Sequence, residues 1–251
     1  MRMEIWKDQG IVLSVRPHGE NGAVVTLLTE QHGRHMGYVR GAHSSRVRGI
    51  LQIGNLVSAE WGSRVSDSMG TYELELHSAL AASVMDDSLR LGALLSACAL
   101  CDAALPERES HCGLFYGILA LLQTLETENW APTYVMWEMA FLRELGFGMD
   151  LTKCAAGGDA KTLTHISPKT GRAVSAKAAE PYMDKLLLLP HFLRPARSGG
   201  DDADVLTGLQ MTAYFLEHWA FVHHTQGLPE SRVRFQERFA RSCAPAEAVL
   251  A

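Results

Sequence analysis

Residues 33–61 have the sequence GRHMGYVRGAHSSRVRGILQIGNLVSAEW, which predicts a strand, a basic loop and a second strand. In the first strand, the two-residue period of β structure places four side chains on one face: Arg34, Met36, Tyr38 and Arg40. The glycine-bracketed loop at residues 41–49 adds two more arginines, Arg46 and Arg48. The second strand ends at Trp61, which shares a face with Val57 and Ala59 and is predicted to be a core residue.

The charge of this stretch differs from that of the whole chain. Five arginines and one acidic residue lie between positions 34 and 64, whereas the 251-residue chain has a formal net charge of -5. A cationic band that includes an aromatic residue suits a surface that follows a nucleic-acid strand, with Tyr38 as the candidate for base stacking. A solvated strand and a mobile basic loop explain the pattern equally well, because surface arginines are common. The residue types alone leave both interpretations open.

The second strand of this stretch covers residues 55–61, and three further strands are predicted around it, at residues 10–16, 23–29 and 71–77. The last of them alternates, with Tyr72, Leu74 and Leu76 expected to point inward. Five strands within about seventy residues, with no helix-length segment among them, predict a small closed barrel. A five-stranded barrel with an exposed basic strand is the pattern of the OB-fold, which commonly binds oligonucleotides.

After residue 78 the apolar residues follow helical spacing instead. Helices are predicted at residues 78–104, 111–127, 134–145 and 203–224. The third is expected to have its core face on Met136, Met139, Ala140 and Leu142. Residues 151–195 form an irregular insertion, with a hairpin at residues 165–174 and a short helix at residues 182–189. The predicted class is α+β, with an OB-fold domain at residues 1–78 and a helical domain at residues 79–251.

The C-terminal segment contains four further arginines: Arg232, Arg234, Arg238 and Arg241. They could form a helix face or a second contact for a polyanion. We favour a role in solubility, because evenly spaced charges usually lie on a solvated surface.

Composition and motifs indicate a binding protein rather than an enzyme. No apolar run reaches the roughly 18 residues of a membrane span, and charges near the N-terminus argue against a signal peptide, so a cytoplasmic protein is expected. Nucleotide-binding, hydrolase and metalloprotease motifs are absent from the sequence. Cys98 and Cys101 form a C-x-x-C, but they lie in an apolar segment without a second such pair, so no metal and no cofactor is predicted.

Several segments resemble the RecO family of bacterial recombination mediators, in an order that covers nearly the whole chain. In the N-terminal half these are RPHGE at residues 16–20, LLTEQHGR at 27–34, VRGA at 39–42 and LQIGN at 51–55. In the C-terminal half they are FLRELGFGMDL at residues 141–151, followed by Cys154, and SPKTG at residues 167–171.

The resemblance implies an OB-fold domain, a helical domain and an inserted zinc-finger-like subdomain at residues 151–195. It implies a non-catalytic protein, associated with the nucleoid, that binds single- and double-stranded DNA and anneals complementary strands. The implied partners are the single-stranded-DNA-binding protein, through its acidic C-terminal tail, and RecR, with which a protein of this family helps to load the RecA recombinase. Carried over by position, the DNA contacts are Arg16, Arg34, Arg40, Arg46 and Arg48, beside the stacking candidate Tyr38.

The sequence departs from the family pattern in two places. Some relatives hold zinc with four cysteines in the insertion, whereas Cys154 is the only cysteine between residues 150 and 195, so a metal-free hairpin is expected. The helix after Pro132 begins Tyr134-Val135-Met136-Trp137, where relatives can carry basic residues that bind the acidic tail, and this leaves that contact unassigned. Two other classes stay open: a protein-interaction scaffold, and a metal-dependent nuclease that uses the histidines with Cys98 and Cys101.

Overall fold

The computed structural model describes residues 4–64, 68–195 and 200–244. The chain forms two compact units, Met1–Thr127 and Glu128–Ala251. The described residues of the first unit form a β-barrel and three α-helices, and those of the second form the remaining helices with a small sheet. The division falls after Thr127 and does not test the domain boundary predicted at residue 78, which stays a prediction.

The barrel is built from five strands, β1 (Glu4–His18), β2 (Gly22–Thr29), β3 (Gly33–Arg40), β4 (Leu56–Ser63) and β5 (Thr71–Ser78). Their order around the closed barrel is β1-β2-β3-β5-β4, with β4 paired back to β1. Only the short β3–β5 pairing is parallel among the described strands. This arrangement confirms the predicted α+β class and its N-terminal five-stranded sheet, and it is compatible with the OB-fold.

Strand β1 is long because it belongs to both sides of the barrel. Its residues up to Ile11 pair with β4 and those from Gly10 onward pair with β2, and a bulge between Val12 and Ser14 shifts the register within the β2 pairing. Such a bulge bends a strand and strengthens its twist. The barrel therefore closes around a core that contains Val12, Val25, Leu27, Val57 and the fully buried Trp61, which confirms the core prediction for Trp61.

Two predictions for the barrel segment are wrong. Leu76 is 45% exposed rather than inward, and it is the last residue of β5 before the register with β4 shifts. The loop at residues 41–49 is in fact partly helical, since residues 45–50 form helix α1 (Ser45–Ile50). Ser44 caps this helix by accepting the Val47 N–H, which is the role that serine commonly has before a first turn.

Two helices complete the first unit, α2 (Ser88–Ala104) and α3 (Cys112–Thr124). The predicted helix at residues 78–104 is interrupted: Ala82–Val84 is a 3-10 turn, and Asp87 then caps α2 by accepting the N–H groups of Leu89 and Arg90. Helix α2 contacts β1 and β2, and its buried side includes Cys98 and Cys101. Burial raises the pKa of the Cys98 thiol to about 12, as expected for a cysteine that packs as a small hydrophobic residue.

The second unit is built on α4 (Trp130–Glu144), α6 (Asp202–Phe215), which continues as a π-helical turn at Leu216–Ala220, and α7 (Glu230–Cys243). Between α4 and α6 the strands β6 (Leu163–Ile166), β7 (Ala173–Ser175) and β8 (Leu187–Leu188) form a sheet in the order β7-β6-β8. The antiparallel β6–β7 pair confirms the predicted hairpin. The insertion's short helices are α5 (Ala176–Ala179) and three 3-10 turns: Ala160–Thr162, Glu180–Lys185 and His191–Leu193. The helix predicted at residues 182–189 is wrong, because the chain becomes extended after Lys185.

Two predictions for the helices of this unit are also wrong. In α4 the predicted Leu142 is buried, but the rest of the buried face contains Tyr134, Trp137 and Phe141, whereas Met136 is 49% exposed. Arg232 is not a solubilising surface residue but is fully buried, where its guanidinium pairs with the Glu138 carboxylate and donates to the Leu209 carbonyl at 3.0 Å. This arginine joins α7 to α4 and α6 in the centre of the second unit.

Candidate nucleic-acid interface

One end of the β1–β2–β3 sheet presents a basic and aromatic outer face. The strand register sets Arg16, Val24 and Tyr38 side by side across the three strands, and His18, Gly22 and Arg40 form the next row. Directly opposed residues share a face of the sheet, so these rows place two arginines, a histidine and a tyrosine together. Arg16, His18 and Arg40 are exposed, and Tyr38 is half-buried.

Tyr38 is held against the sheet by its neighbours. Its ring lies over Gly22, where a Cβ would overlap the phenol oxygen. The imidazole of His18 meets the ring edge-on, with 6.0 Å between the centroids. An aromatic ring that is fixed in this way can receive a base without first losing rotamer freedom. His18 was not among the predicted contacts, because its place beside Tyr38 depends on the strand register.

The next two arginines follow β3 on helix α1. Arg46 and Arg48 are both exposed, as is His43 just before the helix. Within the described residues, the structure shows no ion pair for Arg40, Arg46 or Arg48. Uncommitted guanidinium groups are available for phosphate, which they bind with two parallel N–H···O bonds.

Arg34 has different surroundings from the other predicted contacts. Its side chain is only 16% exposed, and its Nε donates to the Leu105 carbonyl at 2.7 Å. Its guanidinium also lies 3.5 Å from Asp102 and 3.6 Å from Glu107. The alternation that puts Arg34 on the same face as Tyr38 and Arg40 is present, but α2 and the segment after it cover this end of the face.

The barrel wall formed by β4, β5 and the first half of β1 carries the opposite charge. Glu60, Glu73 and Glu75 border a groove of about 820 Å³ with Lys7, and Arg46 reaches its rim. The Lys7 ammonium lies 2.6 Å from Glu60, whose hydrogen bond and charge raise the pKa of Lys7. Phosphate groups are repelled from this wall, so the barrel offers a polyanion one approach side.

Inside the barrel, titratable groups serve packing. His35 packs edge-on against Trp61, with 4.7 Å between the ring centroids, and its Nδ1 lies 3.0 Å from the Met36 carbonyl oxygen. Burial lowers the pKa of His35 to about 4, so the imidazole is neutral at neutral pH. A neutral, enclosed imidazole offers nothing to a phosphate.

The described residues contain neither a cluster of metal ligands nor a membrane-spanning helix. Across residues 4–64, 68–195 and 200–244, no three His, Cys, Asp or Glu side chains are arranged to hold a metal ion. In the insertion, the Cys154 sulfur accepts the Ser175 N–H at 3.3 Å. No helix of the described residues is both long enough and apolar enough to cross a membrane.

The fold and this face place the chain in the class of OB-type barrel proteins with an attached helical region. The family model described as Recombination protein O N terminal matches residues 1–80, and that described as Recombination protein O C terminal matches residues 85–221. The chain belongs to the RecO family.

Three relatives show how far this similarity extends, and all three are named DNA repair protein RecO. The protein from Rhodospirillum centenum is 50% identical over 239 residues, which cover 94% of this chain and 95% of the relative. The protein from Rhodospirillum rubrum is 44% identical over 243 residues, with coverage of 94% and 96%. The protein from Caulobacter vibrioides is 44% identical over 238 residues, with coverage of 94% and 98%.

Proposed function

We propose that this chain acts in DNA repair as a recombination mediator without catalytic turnover of its own. It binds single- and double-stranded DNA, anneals complementary strands and helps to load the RecA recombinase. The proposed partners are RecR and the single-stranded-DNA-binding protein, whose acidic C-terminal tail docks on the helical region. Membership of the RecO family supports the role in DNA repair. DNA binding and annealing are also supported by the chemistry of the barrel face, whereas the partners are those that the resemblance to the family implies.

The observation that carries the proposal is the exposed basic and aromatic face formed by Arg16, Tyr38 and Arg40 and extended by the arginines of α1. The guanidinium groups neutralise backbone phosphates, while the Tyr38 ring stacks on a base, which tolerates any sequence because every base has a π-face. The acidic wall keeps the strand on this side. We give Arg34 a structural role, because its guanidinium is occupied by α2 and the segment that follows.

Annealing follows from charge neutralisation. Two complementary strands repel one another through their phosphates, and a cationic face that contacts both lowers this repulsion. Binding should weaken linearly with the logarithm of salt concentration, with a slope of about -0.7 per phosphate contacted on single strands.

The test measures single-strand affinity over a range of salt concentrations, together with annealing of oligonucleotides coated with the single-stranded-DNA-binding protein. Replacing Arg40 and Arg48 by alanine should reduce the magnitude of the salt slope by about 1.4, which corresponds to two lost phosphate contacts, and should slow annealing. The matched control is Lys7→Ala/Arg234→Ala, which removes the same charge from two exposed, ion-paired positions, one on the acidic wall and one in the second unit. A coating protein without its acidic tail tests the proposed tail contact separately.

The results separate the mediator from a protein-interaction scaffold. Affinity that does not change with salt, or that is the same for the Arg40/Arg48 variant and the control, would mean that the barrel does not bind DNA through this face. A scaffold whose barrel binds protein would then be the better explanation.

A further inference from the structure

Asp102 has an unfavourable position in its own helix. It lies in the last turn of α2, where the helix dipole is negative and a carboxylate is destabilising. Its carboxylate is only 13% exposed and faces the barrel, where Oδ2 lies 3.3 Å from Arg16 and Oδ1 lies 3.5 Å from Arg34. The two barrel arginines therefore offset the charge of Asp102.

These two arginines differ in how firmly they are held. Arg34 is largely covered and has further partners in the Leu105 carbonyl and Glu107. Arg16 has a side chain that is 68% exposed, and it reaches Asp102 through one terminal nitrogen. The Arg16 guanidinium can thus leave Asp102 while Arg34 stays and continues to offset the carboxylate.

We propose that Asp102 is a built-in competitor of DNA, which holds Arg16 until a backbone phosphate takes its place. This inference rests on the proposed function, since it concerns the affinity of the same face. A carboxylate and a phosphate offer the same kind of oxygen acceptor to a guanidinium group. Binding DNA at Arg16 therefore exchanges one ion pair for another, and Asp102 lowers the affinity of the face by the free energy of the pair that is given up.

The first test is Asp102→Asn, which removes the charge and nearly keeps the shape. The Arg16 side of the Arg16–Asp102 ion pair is exposed, and ion pairs with an exposed partner are weak. Single-strand affinity of Asp102→Asn should therefore rise about two- to fivefold at low salt. The gain should shrink as salt rises, because screening weakens the pair that is lost. The control is Glu107→Gln, which removes the same charge beside Arg34 but has no contact with Arg16; it should leave affinity nearly unchanged. Asp102→Ser replaces the asparagine variant if that variant fails to fold.

A double-mutant cycle with Arg16→Ala decides whether Asp102 acts through Arg16. The gain from Asp102→Asn should vanish when Arg16 is absent. An equal gain in both backgrounds, or no gain in wild-type background, would overturn the proposal and leave Asp102 as a structural residue. In either case, loss of affinity in the Arg40/Arg48 variant would still support the proposed function, whereas failure of the wild-type protein to bind DNA would refute both.

Discussion

The ring of Tyr38 occupies the space above Gly22 on the neighbouring strand, so that any side chain at position 22 would collide with it. This relationship couples a residue without a side chain to the aromatic group of the candidate interface. Glycine at the first position of β2 is therefore what leaves room for the ring in this position, although its φ is not in the left-handed region.

Gly22→Ala should therefore push the Tyr38 ring off its position and weaken single-strand binding. We expect a loss of about fivefold, near the lower end of the roughly 1–3 kcal/mol that one stacked base contributes. Gly49→Ala is the matched control, because a Cβ there meets no atom within 4 Å. Fluorescence anisotropy with a labelled oligonucleotide measures both. Wild-type affinity in Gly22→Ala, combined with weak binding in Tyr38→Ala, would show that the ring does not depend on this glycine.

Arg34 and Arg40 should separate stability from binding. Arg34→Ala leaves the Leu105 carbonyl without its donor and removes a cation from beside Asp102 and Glu107, which should lower the free energy of unfolding by about 1–3 kcal/mol. Arg40→Ala, at an exposed position, should change stability by less than about 0.5 kcal/mol. Urea unfolding followed by circular dichroism measures the difference. Equal stability of the two variants would contradict the structural role of Arg34.

The buried pair of Glu138 and Arg232 should be costly to break on one side. Arg232→Met leaves the Glu138 carboxylate without its cation and should cost about 3–5 kcal/mol. Adding Glu138→Leu removes the unpaired charge as well, so the double variant should regain much of that loss. Thermal unfolding of the two variants and the wild type tests this. A double variant that is less stable than Arg232→Met would show that the hydrogen bonds of the pair matter more than its charge.

His35 should make the first unit sensitive to acid. Its pKa is about 4 in the folded barrel and near 6.5 when exposed, so below pH 6.5 the unfolded chain binds the extra proton. Stability is therefore fully present above pH 6.5 and falls progressively as the pH drops towards 4. His35→Gln should be less stable than the wild type at pH 7, yet it should lose less stability over this pH range. The control is His43→Gln, at an exposed site, which should follow the wild type. Melting temperatures between pH 4 and 7 provide the comparison, and parallel curves for all three proteins would rule out His35.

The barrel could be predicted because its signals are local. Two-residue alternation and turn glycines lie within each strand pair, and Trp61 follows from the same alternation. Helix α1 could not be recognised as a helix, because its six residues are too few for helical periodicity. The predicted buried face of α4 is wrong at Met136. The helix begins at Trp130 rather than at residue 134, and its aromatic residues fill the core instead of Met136.

The candidate site was only partly predictable, for a different reason. Arg40, Arg46 and Arg48 lie at exposed positions near the end of β3 and on α1, as their sequence neighbours suggest. The partners of Arg34 lie on α2 and the segment after it, more than sixty residues along the chain. The competition that we infer between Asp102 and DNA for Arg16 depends on the same helix. The place of Arg232 likewise depends on a carboxylate 94 residues away. Short-range patterns carry no information about such partners.

The long sequence separation between Glu138 and Arg232 also constrains the order in which the two units fold during synthesis. Residues 1–127 form a compact unit of their own, so this unit can fold while the rest of the chain is being made. The second unit has to wait, because Glu138 emerges long before Arg232 and would be buried without its cation if the core closed early. Completion of that core is thus deferred until the final helix has left the exit tunnel.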